Sequence, residues 1–127
     1  MKARVSHFEI PAEKVERAKK FYNEAFGWQI TPVPEMEYNM VGTVQSDEKG
    51  MPKEVGAING GMMKRSKDVK HPVITIEVDD IDSSLTKVKN LGGKVTLKKT
   101  AMGEYGFYAY FQDSEGNVMG LYESKRR

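Results

Sequence analysis

The side chains that could do chemistry are few, and their types restrict the reactions open to the chain. Its 127 residues include no cysteine, which excludes disulfides, thiolate nucleophiles and cysteine-based zinc sites. With only two histidines, His7 and His71, a site of three histidines within one chain is excluded as well. No serine stands in a Gly-x-Ser-x-Gly turn, which exposes the nucleophile of many hydrolases. The remaining candidates are imidazole and carboxylate groups.

A glycine-rich segment, residues 56–61 (GAINGG), matches a phosphate-binding loop only in part. Gly56 and Gly61 have the required spacing, but Met62 and Met63 stand where that loop needs Lys followed by Ser or Thr. We interpret the glycines as a strand end or as a place where another part of the chain approaches closely.

The charges nearly balance, which disfavours a nucleic-acid partner. Twenty Lys and Arg residues against 18 Asp and Glu leave a net charge of +2. The basic clusters at 64–70, 98–99 and 125–127 carry no aromatic stripe and are typical of solvated surface. The apolar runs are too short to span a bilayer, and no apolar signal-like segment follows Met1. We therefore predict a single cytoplasmic domain without a membrane or nucleic-acid partner.

The elements that must position these groups follow the same order in each half of the chain. A strand, a helix and three further strands are predicted from the spacing of apolar residues and from Gly and Pro stops. The first half gives strands at 4–11, 28–31, 37–45 and 55–63, with a helix at 12–26. The second gives strands at 72–78, 94–98, 105–112 and 117–123, with a helix at 81–91. We place module one at about 1–63, a linker at 64–70 and module two at about 71–127.

The two halves align when they are offset by 66 residues, which indicates an internal duplication. Core positions and the glycine that ends each helix coincide: Ile10 with Ile76, Val15 with Ile81, Tyr22 with Val88, Ala25 with Leu91, and Gly27 with Gly93. Two such βαβββ units each leave a half-covered sheet. Pairing them, within one chain or across a dimer, would enclose a shared cavity.

Four segments together carry a family resemblance: the strand with His7, RAKKFYNEAFGW at 17–28, VDDID at 78–82 and DSEGNVMGLYE at 113–123. With these segments the chain resembles the vicinal oxygen chelate superfamily, which includes glyoxalase I, bleomycin-resistance proteins, fosfomycin-resistance enzymes and extradiol dioxygenases. The resemblance implies an α+β fold in which two tandem βαβββ modules form an open barrel with an enclosed cavity. It also implies a small-molecule ligand and a homodimer.

The resemblance further implies where a metal would be held, one ligand coming from each of four strands. His7 holds the first position, but the fifth-strand position falls on Val73 and the eighth-strand position on Gly120. The fourth-strand position lies near residues 59–61, which include no carboxylate. One inherited ligand of four remains, too few for a fixed divalent metal site. We therefore predict no metal and no cofactor.

Side chains alternate between the two faces of a strand, so every second residue faces the same side. This alternation adds further candidates to the inherited positions. Glu9 then accompanies His7, Thr75 and Glu77 accompany Val73, and Tyr122 accompanies Gly120, whereas Glu123 faces the other way. The candidate ligand-binding residues are His7, Glu9, Val73, Thr75, Glu77, Gly120 and Tyr122. We assign no catalytic residue. A relocated metal site built from His7, Glu9, Glu77 and His71 is the alternative.

Three functions remain open at this point. The favoured one is a small-molecule-binding protein with a mostly apolar cavity and a degraded metal site. The alternative is a metal-dependent lyase, isomerase or dioxygenase with ligands relocated around His7. A structural or regulatory subunit ranks third, because Gly60, Gly61 and Gly120 should empty the middle of strands rather than fill them. His7 itself is either a hydrogen-bonded residue of a pocket wall or a ligand-binding group or general base.

Overall fold

The computed structural model describes residues 3–125, which form a mixed α+β fold. They divide into two compact units: the first is His7–Pro72, and the second joins residues 3–6 to residues 73–125. The first half of the chain gives β1 (Arg4–Ala12), α1 (Val15–Phe26), β2 (Gln29–Pro32), β3 (Asn39–Gly42) and β4 (Gly60–Lys64). The second gives β5 (Val73–Glu77), α2 (Ile81–Asn90), β6 (Lys94–Ala101), β7 (Gly106–Gln112) and β8 (Val118–Ser124), with a short 3₁₀ turn at Gly103–Tyr105.

In the first unit the strand order is β2-β3-β4-β1. β1 runs parallel to β4, with Glu9 opposite Gly61, and β4 pairs with β3 in the antiparallel sense. The apolar side of α1 packs on this sheet around Val41 and Met62, which are fully buried. The helix ends at Gly27, whose φ of 74° is a left-handed conformation that glycine adopts without strain.

The second unit repeats this arrangement with the order β5-β8-β7-β6. β5 runs parallel to β8, and Thr75 lies opposite Gly120. The helix α2 begins after Asp80, whose side chain accepts a hydrogen bond from the backbone N–H of Ser83. Ile81 and Leu85 on its buried side contact a core of β-strand residues that includes Ala109 and Leu121. The α+β class and the βαβββ order of each half are thus confirmed.

The expected bounds were wrong by more than one residue for α1, β3, β4 and β6, and β6 continues to Ala101 rather than ending at residue 98. The first helix begins at Val15 rather than at residue 12, because β1 continues to Ala12, which pairs with Lys64. β3 covers only Asn39–Gly42 of the expected 37–45, and β4 begins at Gly60 rather than at residue 55. Between them the Asn59 side chain accepts hydrogen bonds from the backbone of Thr43 (2.7 Å) and Val44 (3.2 Å), so a side chain replaces the expected ladder.

The predicted module boundaries stay a prediction, as does the cavity that the modules would enclose. Within residues 3–125, neither helix is both long enough and apolar enough to cross a membrane.

Candidate functional site

The first unit brings together two of the predicted residues and one that the sequence did not single out. His7 and Glu9 both lie on β1, and the hydroxyl of Tyr38, just before β3, lies between their side chains. The Nε2 atom of His7 is 2.8 Å from Tyr38 Oη, and Tyr38 Oη is 3.0 Å from Glu9 Oε2. Glu9 is only 9% exposed, so its carboxylate depends on such partners for the hydrogen bonds that water would otherwise supply. The three side chains form one hydrogen-bonded chain.

Gly61 on β4 explains how the tyrosine reaches this position. The Tyr38 hydroxyl occupies the place that a Cβ atom at Gly61 would take, so only glycine leaves room for it. At the neighbouring Gly60, a Cβ atom would lie 2.5 Å from the backbone oxygen of Phe8. The expectation that Gly60 and Gly61 leave the middle of the strand empty was therefore wrong: Phe8 and Tyr38 take up that space.

Burial controls the charge of His7. Removal from water disfavours the imidazolium and lowers the pKa of His7 from its ordinary value of 6.5 to about 4. The side chain is therefore neutral at physiological pH, with one ring nitrogen protonated and the other carrying a lone pair. A neutral imidazole can accept one hydrogen bond and donate another, which suits ligand recognition better than the attraction of an anion.

The second unit brings Val73, Thr75 and Gly120 together on adjacent strands. Val73 and Thr75 are 2% and 6% exposed. A Cβ atom at Gly120 would lie 2.9 Å from Thr75 Oγ1 and 3.4 Å from Val73 Cγ1. These three residues therefore share one face of the sheet, as the alternation predicts, and Gly120 is partly covered by its neighbours.

Glu77 and Tyr122 lie opposite each other on β5 and β8. Their side chains contact residues other than the predicted ligand-binding set. Glu77 forms a 3.4 Å ion pair with Arg4, whose side chain is 60% exposed, and such surface pairs contribute little to stability. The Tyr122 hydroxyl donates a hydrogen bond to the backbone oxygen of Tyr105 at 2.5 Å. Both contacts hold these side chains within the second unit.

Glu123 has a structural role on the helix side of the second sheet, opposite in parity to Gly120. Its Oε1 accepts a 2.9 Å hydrogen bond from the backbone N–H of Ile81, in the first turn of α2. Lys99 pairs with the same carboxylate at 3.3 Å. A buried carboxylate here accepts a hydrogen bond from a first-turn backbone N–H that has no partner within the helix, and its charge complements the positive end of the helix dipole.

The donor set does not match a metal centre. Within residues 3–125, no group of three or more His, Asp or Glu side chains is placed to hold a metal ion. The relocated metal site of His7, Glu9, Glu77 and His71 stays a prediction. His71 is exposed and lines a shallow surface depression together with Glu13, Arg65 and Lys70.

Tyr38 is the site residue that sequence reasoning missed. It lies just before β3, within the strand expected at 37–45, but it belongs to no recognised motif, and no spacing rule links it to His7. The available signal was the Gly60–Gly61 pair within a strand, since a glycine there leaves space for a large side chain from a neighbouring strand.

Comparisons with known proteins agree with this architecture. Residues 4–43 match the family model described as bleomycin resistance protein-like N-terminal. A glyoxylase-like domain-containing protein from Didymella fabae is 30% identical over 126 residues, covering 92% of this chain and 91% of that protein. A putative glyoxylase from Mycobacterium bovis is 32% identical over 113 residues, covering 86% of this chain, which spans only 41% of that relative's length.

Solved structures extend the likeness to the whole fold. A hypothetical protein from Bacillus halodurans has a TM-score of 0.67 at 13% identity, covering 100% of this chain and 98% of its own. A Streptomyces coelicolor methylmalonyl-CoA epimerase has a TM-score of 0.66 at 16% identity, covering 98% of this chain and 99% of its own. The chain belongs to the glyoxalase/bleomycin-resistance group of the vicinal oxygen chelate superfamily.

Proposed function

We propose that this protein binds a small organic molecule without a metal, at a mostly apolar site whose polar groups include His7 and Glu9. The observation that carries the proposal is the Tyr38 hydroxyl, which is hydrogen-bonded to both His7 Nε2 and Glu9 Oε2. A divalent cation that used those two atoms would have to displace Tyr38. In the second unit, the proposed ligand-binding residues are Val73, Thr75, Glu77, Gly120 and Tyr122.

The residues present do not fit the metal that the family implies. A divalent metal needs three or four ligands in fixed geometry. Val73 and Gly120, at the inherited positions, have no side-chain donor atom, and His7 Nε2 and Glu9 Oε2 are already hydrogen-bonded to Tyr38. Apolar walls with a few polar groups are instead the usual composition of a small-molecule pocket.

A thermal-shift screen with small aromatic and amphipathic compounds tests the proposal. We expect stabilising compounds, because a ligand that binds only the folded state raises the unfolding temperature. His7→Asn is the matched control and should reduce the shift of compounds that contact His7. A flat response of the wild-type protein across a broad library contradicts the proposal.

A metal-dependent lyase, isomerase or dioxygenase is the second candidate. It is favoured by the convergence of His7 Nε2 and Glu9 Oε2 on one point, although Tyr38 would have to move for a cation to bind there. The test adds Zn²⁺, Ni²⁺, Mn²⁺ or Fe²⁺ and assays methylglyoxal–thiol adducts and catechols. Turnover that depends on one metal and disappears in His7→Asn would establish this function instead.

The filled spaces at Gly60 and Gly61 are the observation that favours a structural or regulatory subunit. The homodimer implied by the family stays a prediction, to be measured by light scattering after size-exclusion chromatography. A stable dimer with no response in the ligand screen would support this third function. The cytoplasmic location also stays a prediction.

A further inference from the structure

We infer that Tyr38 is a positioning residue that fixes His7 as a hydrogen-bond acceptor, so that the site selects ligands presenting a hydroxyl or an amide N–H. The inference rests on the proposed function and names its ligand class: alcohols, phenols and amides rather than the anionic paired oxygens that a metal would chelate. It follows from three features of the first unit.

The first feature is the direction of the hydrogen bonds. The Tyr38 hydroxyl has one proton, which it donates to Glu9 Oε2 at 3.0 Å. The same hydroxyl must then accept at its contact with His7 Nε2, 2.8 Å away. Nε2 therefore carries the proton of the neutral imidazole, and Nδ1 carries the lone pair.

The second feature is the access to Nδ1. Within residues 3–125, His7 forms no hydrogen bond through Nδ1, its polar contact being the one with Tyr38. Among these residues, every side-chain nitrogen or oxygen that is fully buried has a hydrogen-bond partner. Since Nδ1 has no such partner, it is not fully buried, although most of the ring is removed from water. It offers a lone pair to a donor that arrives from outside.

The third feature is charge. A ligand oxygen that carries a negative charge would meet the Nδ1 lone pair, which repels it, and has no cationic partner in the neutral imidazole. A hydroxyl or an amide N–H meets an acceptor that is already oriented. Because an oriented acceptor loses little entropy on binding, the preference for donors should be measurable even for small fragments.

The first test is the tautomer of His7 in the full-length protein. Long-range ¹H–¹⁵N correlation spectra at pH 7 report which ring nitrogen carries the proton, and a His71→Gln variant assigns the two histidines. We expect His7 in the Nε2–H form and a shift towards a mixture in Tyr38→Phe. Tyr105→Phe, which removes the hydroxyl of a 57% exposed tyrosine, should leave the His7 signals unchanged. An Nδ1–H form in the wild type, or the same tautomer population in Tyr38→Phe, overturns the role of Tyr38.

The second test compares fragments that differ in one donor: phenol with anisole, and benzyl alcohol with its methyl ether, each titrated while the His7 signals are followed. We expect the donor of each pair to bind roughly tenfold more tightly to the wild type, the value of one hydrogen bond. In Tyr38→Phe the preference should fall to about twofold or less. Benzoate, an anion, should bind most weakly.

The outcomes separate the two proposals. Equal binding of donor and ether to the wild type overturns the donor selection but leaves a small-molecule-binding protein. If no fragment perturbs His7, the ligand class and the proposed function both fail at this site. The tautomer measurement then still decides whether Tyr38 orients His7.

Discussion

The hydroxyl of Tyr38 lies over the α-carbon of Gly61, where the first atom of any larger side chain at position 61 would be. This contact links β4 to the residue just before β3 and places the phenol between His7 and Glu9. The absence of a side chain at position 61 therefore lets Tyr38 engage His7 Nε2 and Glu9 Oε2, and a cation could use these two atoms only by displacing the tyrosine.

Gly61→Ala should displace Tyr38 and destabilise the fold by about 1–3 kcal/mol, the usual effect of forcing an extra carbon into a packed site. Urea unfolding followed by circular dichroism measures the change. Gly42→Ala is the matched control on β3: a Cβ atom there has its nearest neighbours at 3.5 Å, an ordinary contact. Equal stability of the two variants would show that Tyr38 moves aside freely and is not held over Gly61.

The stability of the protein should fall between pH 7 and pH 5 because of His7. Its pKa is about 4 when folded against 6.5 when unfolded, so the unfolded chain binds more protons in this range. The contribution is present above the unfolded pKa and is lost as the pH falls towards the folded one, amounting to about 2 kcal/mol between pH 7 and pH 5.

Urea unfolding of the wild type and of His7→Gln at both pH values isolates this contribution, since His71 is present in each protein. The variant should lose less stability on acidification. The same loss in both proteins would mean that His7 is not neutral and buried as described, and that other groups near it, Glu9 included, carry the pH dependence.

Glu123→Ala should destabilise the protein by about 2–3 kcal/mol, because it leaves the backbone N–H of Ile81 without its acceptor and Lys99 without its partner. Glu123→Gln should have a smaller effect, since the amide oxygen can still accept from Ile81. Thermal and urea unfolding measure both. The control is Glu115→Ala in an exposed turn, expected within about 0.5 kcal/mol of the wild type. If Glu123→Ala behaved like this control, the helix-capping role would be refuted.

Gly120→Ala should strain the contact with Thr75, whose Oγ1 would lie 2.9 Å from the new methyl group. In a Thr75→Ala background that oxygen is gone, so the same substitution should be tolerated better. A double-mutant cycle of unfolding free energies should give a coupling of about 1 kcal/mol between the two positions. Strict additivity would show that they do not share one face as closely as the structure indicates.

The sequence predicted most of the fold because apolar spacing and glycine stops are local signals that repeat along each helix and strand. Apolar spacing places α2 at Ile81, and Gly27 ends α1. Alternation placed Glu9 with His7 and Thr75 with Val73. The start of α1 depended on the pairing of Ala12 with Lys64, and the ends of β3 and β4 depended on the hydrogen bonds of the Asn59 side chain to the backbone of β3 and its flank. Tyr38 was not predicted, because Gly61 signals that some side chain fits beside it but not which one, and only the pairing of the strands shows that it is Tyr38.

The most direct test of the account is the metal content of the protein, purified without an affinity tag and measured by inductively coupled plasma mass spectrometry. Because Tyr38 engages His7 Nε2 and Glu9 Oε2, and residues 3–125 place no group of three donor side chains together, we expect Zn, Ni, Mn and Fe at far below one atom per chain. Addition of these metals should also leave the unfolding temperature unchanged. One equivalent of a divalent metal, lost together with the stability it confers in His7→Asn, would contradict the account.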